Sequence, residues 1–340
     1  MALKANIAYK SGKTGLPILV IMHGFSDTTT VFAATIKARF AYNNVFTLFV
    51  EMRGRNGSGG SQDCSAREIH DIYDAVEYVK TNYASIIDSN QVHLVGYSGG
   101  GGNAFACAAK FPDYFNTLTS FFGMSDYGHD AVDGWYQNGA DAGHKTLMET
   151  WIGDNPTNVP DAYHARAHVL GIANYSGGHI NMLQDDDDAV IPYVNITNVK
   201  DILDGAGLSN YTINRTTAAN AYRWIHGYPT SGSATASLIV AENIFINPIV
   251  AKTYPAWTIP ATGTVTVCGY VITKRFSIWL GGLTEAAVGA GLDEIATVSY
   301  NTTTDQYTVT PLTGNMDVYI KQGTKTANQS ITEETLLTVT

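Results

Sequence analysis

The chain has 340 residues, 45% of them hydrophobic and only 15% charged, against a usual charged share of about 25%. It is therefore long and apolar enough to bury a full core, and length alone admits one large domain or two. Its net charge of −10 repels phosphate backbones and excludes nucleic-acid binding through a basic patch.

No apolar run reaches the ~18 residues needed to span a bilayer. The start, Met1 to Asn6, lacks the apolar centre of a signal peptide, as it would if a leader had been removed. Cys64, Cys107 and Cys268 allow one disulfide at most and lack metal-like spacing.

In chain order, Leu16–Met22 is a continuous apolar run, as a central strand covered on both faces requires. Val45–Val50 and Gln91–Val95 are further strands. Between these two, Ile69, Ile72, Tyr73, Val76 and Val79 recur at helical spacing. A small-residue helix over 102–110 and a strand at Leu118–Phe122 follow. Such alternation means parallel βαβ units. Residues 124–178 lack clean periodicity and read as a long excursion with short helices that shapes a pocket. A strand at His179–Leu183, an acidic turn, a helix near 193–206, a short strand at Tyr211–Asn214 and a last helix over 232–246 complete this part.

Near Thr253 the composition shifts. Histidine disappears and threonine rises to roughly a quarter of residues. Short strand-like stretches at about ten-residue spacing predict an antiparallel β-sandwich. The expected organisation is an α/β catalytic domain over 1–252 and an accessory all-β domain over 253–340, joined by a linker at 249–260. On that reading, deletion of the second part spares activity on small substrates.

The chemistry centres on Gly96-Tyr97-Ser98-Gly99-Gly100, a G-x-S-x-G set between a strand and a helix. The glycines permit the tight turn that exposes a serine hydroxyl, and the helix start aims free N–H groups at a developing oxyanion. The plainer reading is a serine that caps the helix. A nucleophilic serine needs a base, and the base an orienting acid. The acid belongs after a later strand, where Asp185, Asp186, Asp187 and Asp188 stand in a row. Asp188 is preferred, with the other three as alternatives; a solvated turn or calcium loop is the plainer reading. Of the nine histidines only His226 follows that turn, in the position for the base.

Oxyanion donors are expected from the backbone N–H of Gly99 and of Phe25, in the loop after the first central strand, with His23 holding that loop. Tyr97, Trp135, Tyr136 and Trp151 are candidates for the substrate pocket, the tryptophans and Tyr136 serving equally as core of the excursion. His164 and His168 have i, i+4 spacing without a third ligand, so no metal site is read there, and no cofactor is required.

His23-Gly24, the Glu51-Met52-Arg53-Gly54 loop with Gly57, the Asp71–Tyr78 helix, Gly96-Tyr97-Ser98-Gly99-Gly100-Gly101 and Asp188-Ala189-Val190-Ile191-Pro192 together resemble the prolyl oligopeptidase-like and esterase branch of the α/β-hydrolases. The resemblance covers about residues 15–250. It implies the α/β-hydrolase fold, and Ser98, Asp188 and His226 as a triad, the Asp-x-x-x-Pro spacing singling out Asp188. Gln184-Asp185 replaces the His-Gly common before the acidic turn, and Glu51 the aspartate common before Arg-Gly. The short N-terminal lead implies reduced antiparallel edge strands. Peptidases of the branch carry a large propeller, for which this chain has no room, so the resemblance implies an esterase.

The expected activity is hydrolysis of a carboxylic ester, with polysaccharide ester and polyester among the candidate substrates, by a protein acting outside the cell or at its surface. A short-peptide peptidase and a carbohydrate-binding protein with an inactive hydrolase core are the alternatives.

Overall fold

The apolar runs do what burial on both faces demands and line up as the middle of one sheet. A computed structural model describes residues 2–29, 44–220, 223, 224, 226, 242–282 and 293–340. In it β1 (Ala5–Ala8), β2 (Leu16–Met22), β3 (Phe46–Val50), β4 (Ile87–Tyr97), β5 (Thr117–Phe121), β6 (His179–Asp185) and β7 (Tyr211–Thr216) form a seven-stranded sheet ordered β1-β3-β2-β4-β5-β6-β7. Only β1 runs antiparallel to its neighbour. The strand order reverses direction around β2, and all loops of interest leave the carboxyl ends of the strands, where open α/β sheets bind ligands.

Helix α1 (Arg67–Asn82) turns Ile69, Ile72, Val76 and Val79 onto the sheet, as its periodicity predicts. Helix α2 (Gly99–Lys110) is buried along its whole length. The excursion contains α3 (Ala142–Ile152), α4 (Pro160–His164) and a 3₁₀ segment, His168–Asn174. Helix α5 (Val194–Gly205) precedes β7. Most of the helix expected over 232–246 lies outside the described residues; its end is a π turn, Glu242–Ile246, followed by the short α6 (Asn247–Val250). No described helix is long and apolar enough to cross a membrane. All three cysteines are buried and free.

The threonine-rich region forms a single eight-stranded antiparallel sheet, β8 (Thr262–Cys268), β9 (Tyr270–Ile272), β10 (Ser277–Leu280), β11 (Ile295–Asn301), β12 (Gln306–Pro311), β13 (Met316–Gln322), β14 (Lys325–Ile331) and β15 (Thr335–Thr338), in the order β14-β13-β10-β9-β8-β11-β12-β15. Thr326 and Thr340 exchange backbone hydrogen bonds of 3.2 Å, so its edges meet. The rolled sheet encloses its own apolar filling, Val267, Ile278, Val298, Val309, Val318 and Ile320 among it.

Its outer face is not independent of the first sheet. Tyr270 and Trp279, stacked at 4.8 Å, belong to the same apolar cluster as Phe111, Ile72 and Ile180. At the end of α2, Asn174 donates to Ala109 O at 2.8 Å and to Thr266 O at 2.7 Å, and accepts from Thr266 N at 2.9 Å. Lys110 is buried, donates to Cys268 O and lies 4.7 Å over the Tyr270 ring. Burial brings its pKa down to about 8. The expected linker is pinned as well: Tyr254 pairs with the Gln91 amide at 2.9 Å in both directions, and Asp113 accepts from Ile259 N and Lys274 N.

A shared core makes this region a structural partner of the α/β sheet rather than an appendage that can be removed without consequence. Removing 253–340 should leave a 1–252 fragment without a cooperative thermal transition. A soluble fragment melting like the whole chain would contradict this. Asn174→Ala should cost about 2–4 kcal/mol in urea denaturation, because it orphans three backbone groups, Ala109 O in a buried bond and Thr266 N and O in half-buried ones.

Candidate active site

Ser98 sits where β4 turns into α2, at φ 56° and ψ −119°, a conformation that L-residues adopt only under constraint. Two glycines make the turn possible. A Cβ on Gly96 would lie 1.8 Å from Gly100 O, and one on Gly99 would lie 2.5 Å from Phe25 N. The capping role does not hold, since the Ser98 side chain makes no cap hydrogen bond. Its Oγ stands instead 3.0 Å from His226 Nε2.

His226 Nδ1 lies 3.4 Å from Asp188 Oδ2, with alignment too poor for a full hydrogen bond; such contacts tighten when substrate binds. Asp188 is buried and held on its other oxygen by Val190 N and Ile191 N, both at 2.9 Å. Gln184 donates to Asp188 Oδ2 at 3.1 Å and to Ile191 O at 2.5 Å, so the residue that departs from the family pattern steers the carboxylate. The other three aspartates have different work. Asp185 pairs with Arg223 and Thr216, Asp186 with Arg215, and Asp187 with Arg223. The acidic row is thus an arginine-laced turn, and only Asp188 faces the histidine.

Phe122 carried no sequence signal. It has φ 39°, with its ring 5.0 Å from the His226 ring. A bulky residue at positive φ is strained by about 1–3 kcal/mol, and here that backbone aims the ring at the imidazole.

The loop after β2 lies against the start of α2, and the Phe25 N–H donates to no protein acceptor among the described residues. Glu51 clamps this loop. Its buried carboxylate accepts from Thr29 N at 3.0 Å, Thr29 Oγ1 at 2.7 Å and Asn56 Nδ2 at 2.9 Å, and His23 Nε2 is 3.3 Å away. Burial raises the Glu51 pKa, but the His23, Thr29 and Asn56 hydrogen bonds outweigh it and bring it down to about 2. His23 Nδ1 is 2.9 Å from Gly24 O, and Met52 N is 3.4 Å from His23 Nε2, so the ring bridges the loops after β2 and β3.

Trp135 is 1% exposed and its indole N–H donates to Val190 O, so it is core. Tyr97 is also buried, stacked on Phe121 at 4.7 Å. Tyr136 and Trp151 are partly exposed, Trp151 packing 4.8 Å from the Phe25 ring. His164 and His168 are not brought together: His164 stacks on His129 at 3.9 Å, while His168 meets Ser65 Oγ at 2.9 Å. Among the described residues no group of three or more His, Cys, Asp or Glu could hold a metal.

A sequence model of the X-Pro dipeptidyl-peptidase (S15 family) matches residues 1–190. The chain belongs to this family. No curated protein matches it. Among solved structures, this S15 protein is similar to a Mycobacterium tuberculosis puromycin-hydrolyzing peptidase (TM-score 0.57, 20% identity), covering 74% of this chain and 38% of that one. It is similar also to Est1E from Butyrivibrio proteoclasticus, solved with ferulic acid (TM-score 0.52, 18% identity, covering 74% and 96%). A third is the esterase Est2 from Thermogutta terrifontis, solved with butyrate (TM-score 0.51, 13% identity, covering 73% and 90%). The S15 chain thus has the α/β-hydrolase fold and spans about 38% of that peptidase's length.

Two buried carboxyls of this S15 protein give its stability opposite acid and neutral limbs. For Glu68, burial outweighs the nearby Arg55 and raises the pKa from 4.5 to about 7. Between those values the folded chain holds a proton that the unfolded chain has lost, so stability falls as pH rises through the window. Glu51 is lowered from 4.5 to about 2, so its contribution is present above 4.5 and lost as pH falls toward 2. Glu68→Gln should remove that group's share of the neutral-side decline, worth up to about 3 kcal/mol, and leave the share of Glu294, which burial likewise raises to about 7. Thermal unfolding of both proteins at about pH 5 and about pH 8 tests this, and an unaltered decline in the variant would contradict it.

Proposed function

We propose that this S15-family chain hydrolyses carboxylic esters through an acyl-enzyme on Ser98. The observation that carries the reading is the Ser98 Oγ to His226 Nε2 contact of 3.0 Å at a strained strand-to-helix turn. In this reading His226 takes the hydroxyl proton as Oγ attacks the ester carbonyl, and returns it to the departing alcohol. Asp188, steered by Gln184, fixes the tautomer and stabilises the imidazolium. The N–H groups of Gly99 and Phe25 receive the oxyanion. Water activated by His226 then releases the acid. The rolled β-sheet supports α2 from behind and takes no part in the chemistry.

Esters are favoured over peptides because the likeness runs over 96% and 90% of the two esterases but 38% of the peptidase. Family membership supports a second reading, cleavage of short peptides after an X-Pro pair.

Ser98→Ala should lower kcat/KM on p-nitrophenyl butyrate by about 10⁴-fold or more at an unchanged melting temperature; a variant with the parent's turnover would remove the nucleophile from the scheme. Phe122→Ala should cost about 10-fold in kcat with little change in KM, and Phe122→Tyr should restore most of it. An equal loss in both would leave the ring no role at the imidazole. On a mixed panel, turnover of X-Pro p-nitroanilides above that of every ester would decide for the peptidase reading.

A further inference from the structure

One buried cation near the proposed oxyanion loop lacks the partner that every comparable arginine has. Arg53 makes a two-pronged pair with Asp71 at 2.6 Å, and Arg166 binds Asp293 Oδ1 at 2.8 Å, Cys64 O at 2.8 Å and Ala162 O at 2.7 Å. Arg55 is only 5% exposed, yet among the described residues its side chain donates no hydrogen bond and no carboxylate comes within ion-pair distance. Its Nε is sealed and orphaned. A guanidinium stays charged, and burying one unpaired is costly.

The carboxylates nearby do not reach it. Asp63 accepts from Arg67 N and faces Arg166; Glu51 holds Thr29 and Asn56; Glu68 accepts from Ser65 N, its other oxygen is buried without a partner, and it feels Arg55 only as a charge beyond ion-pair distance. What holds Arg55 is the Trp151 ring, 4.9 Å from its central carbon. Trp151 in turn lies 4.8 Å from the Phe25 ring, and the Phe25 backbone abuts Gly99. The guanidinium thus stands two ring contacts from the expected oxyanion donors, on the loop after β3, beside the loop after β2 at the carboxyl edge of the sheet.

We propose that Arg55, seated on Trp151, is a subsite for the carboxylate of an anionic ester. The inference rests on the ester reading of Ser98. A planar fork of N–H donors with no hydrogen-bond acceptor among the described residues matches a carboxylate in shape and charge. Trp151 offers the substrate an apolar wall on the way. The preferred ester then carries its carboxylate a few bonds from the scissile carbonyl, as half-esters of dicarboxylic acids and esters of hydroxybenzoic acids do.

Two matched pairs test this: 1-naphthyl hemisuccinate against 1-naphthyl butyrate, with the charge on the acyl side, and 4-acetoxybenzoate against phenyl acetate, with the charge on the leaving group. Arg55→Met should lower kcat/KM on one anionic member at least about 10-fold more than on its neutral partner, mainly through KM, and Arg55→Lys should recover part of the difference. Equal losses within both pairs would make Arg55 a brace for Trp151 and overturn the proposal, as would no loss at all. Calorimetric titration of Ser98→Ala with monomethyl succinate separates the two claims. Binding that disappears in Ser98→Ala/Arg55→Met supports the subsite whether or not Ser98 is the nucleophile. Absence of Arg55-dependent binding in a protein whose esterase activity depends on Ser98 refutes the subsite alone.

Discussion

The site depends on how closely one helix can approach the strand ends beside it. At the start of α2, a Cβ on Gly100 would lie 2.5 Å from Met22 O and one on Gly101 would lie 2.7 Å from Phe121 O. Backbone therefore meets backbone on both sides of Ser98, and no residue with a side chain fits. Four consecutive glycines open the helix, which by propensity costs about 1 kcal/mol each relative to alanine. Burial of the whole helix offsets that cost. The return is geometric: the serine is thrust out at φ 56°, and the loop carrying Phe25 is drawn against the same helix start.

Fixing one end of a helix so tightly places demands on the other. α2 ends at Lys110, and both its Ala109 carbonyl and its Lys110 side chain are held by later elements. Asn174 joins Ala109 to β8, and Lys110 reaches Cys268 O. The same buried rod thus links the proposed nucleophile to the rolled sheet. This is why the threonine-rich region, which composition marks off as a separate unit, shares an apolar cluster with the α/β sheet.

Much of this was legible from residues alone. Continuous apolar runs announced the parallel strands, and G-x-S-x-G between strand and helix pointed to Ser98. Chain order then led to His226, while the residues alone preferred Asp188 and left Asp185 to Asp187 open; it was the family resemblance, through Asp-x-x-x-Pro, that singled out the aspartate facing it. Other features had no local signature. Asn174 and Lys110 look like ordinary polar residues until the fold carries them to a junction with residues about 90 and 160 positions away. Phe122 is one aromatic among many, and only its backbone angle and its neighbour mark it. β14 has no local signature either, since six of its seven residues are not buried, which leaves no apolar alternation to read. The aromatic pocket candidates were half core, since Trp135 and Tyr97 turn inward and periodicity does not say which side of a loop faces solvent.

The central claim is that Ser98 is an activated nucleophile, made so by His226. The most direct measurement is to treat the intact protein with a fluorophosphonate and locate the adduct by peptide mass spectrometry. The account predicts a single phosphonylated peptide with the modification on Ser98, and labelling slowed by orders of magnitude in His226→Ala. An unmodified Ser98 under conditions that label other serine hydrolases, or an adduct on another serine, would contradict it.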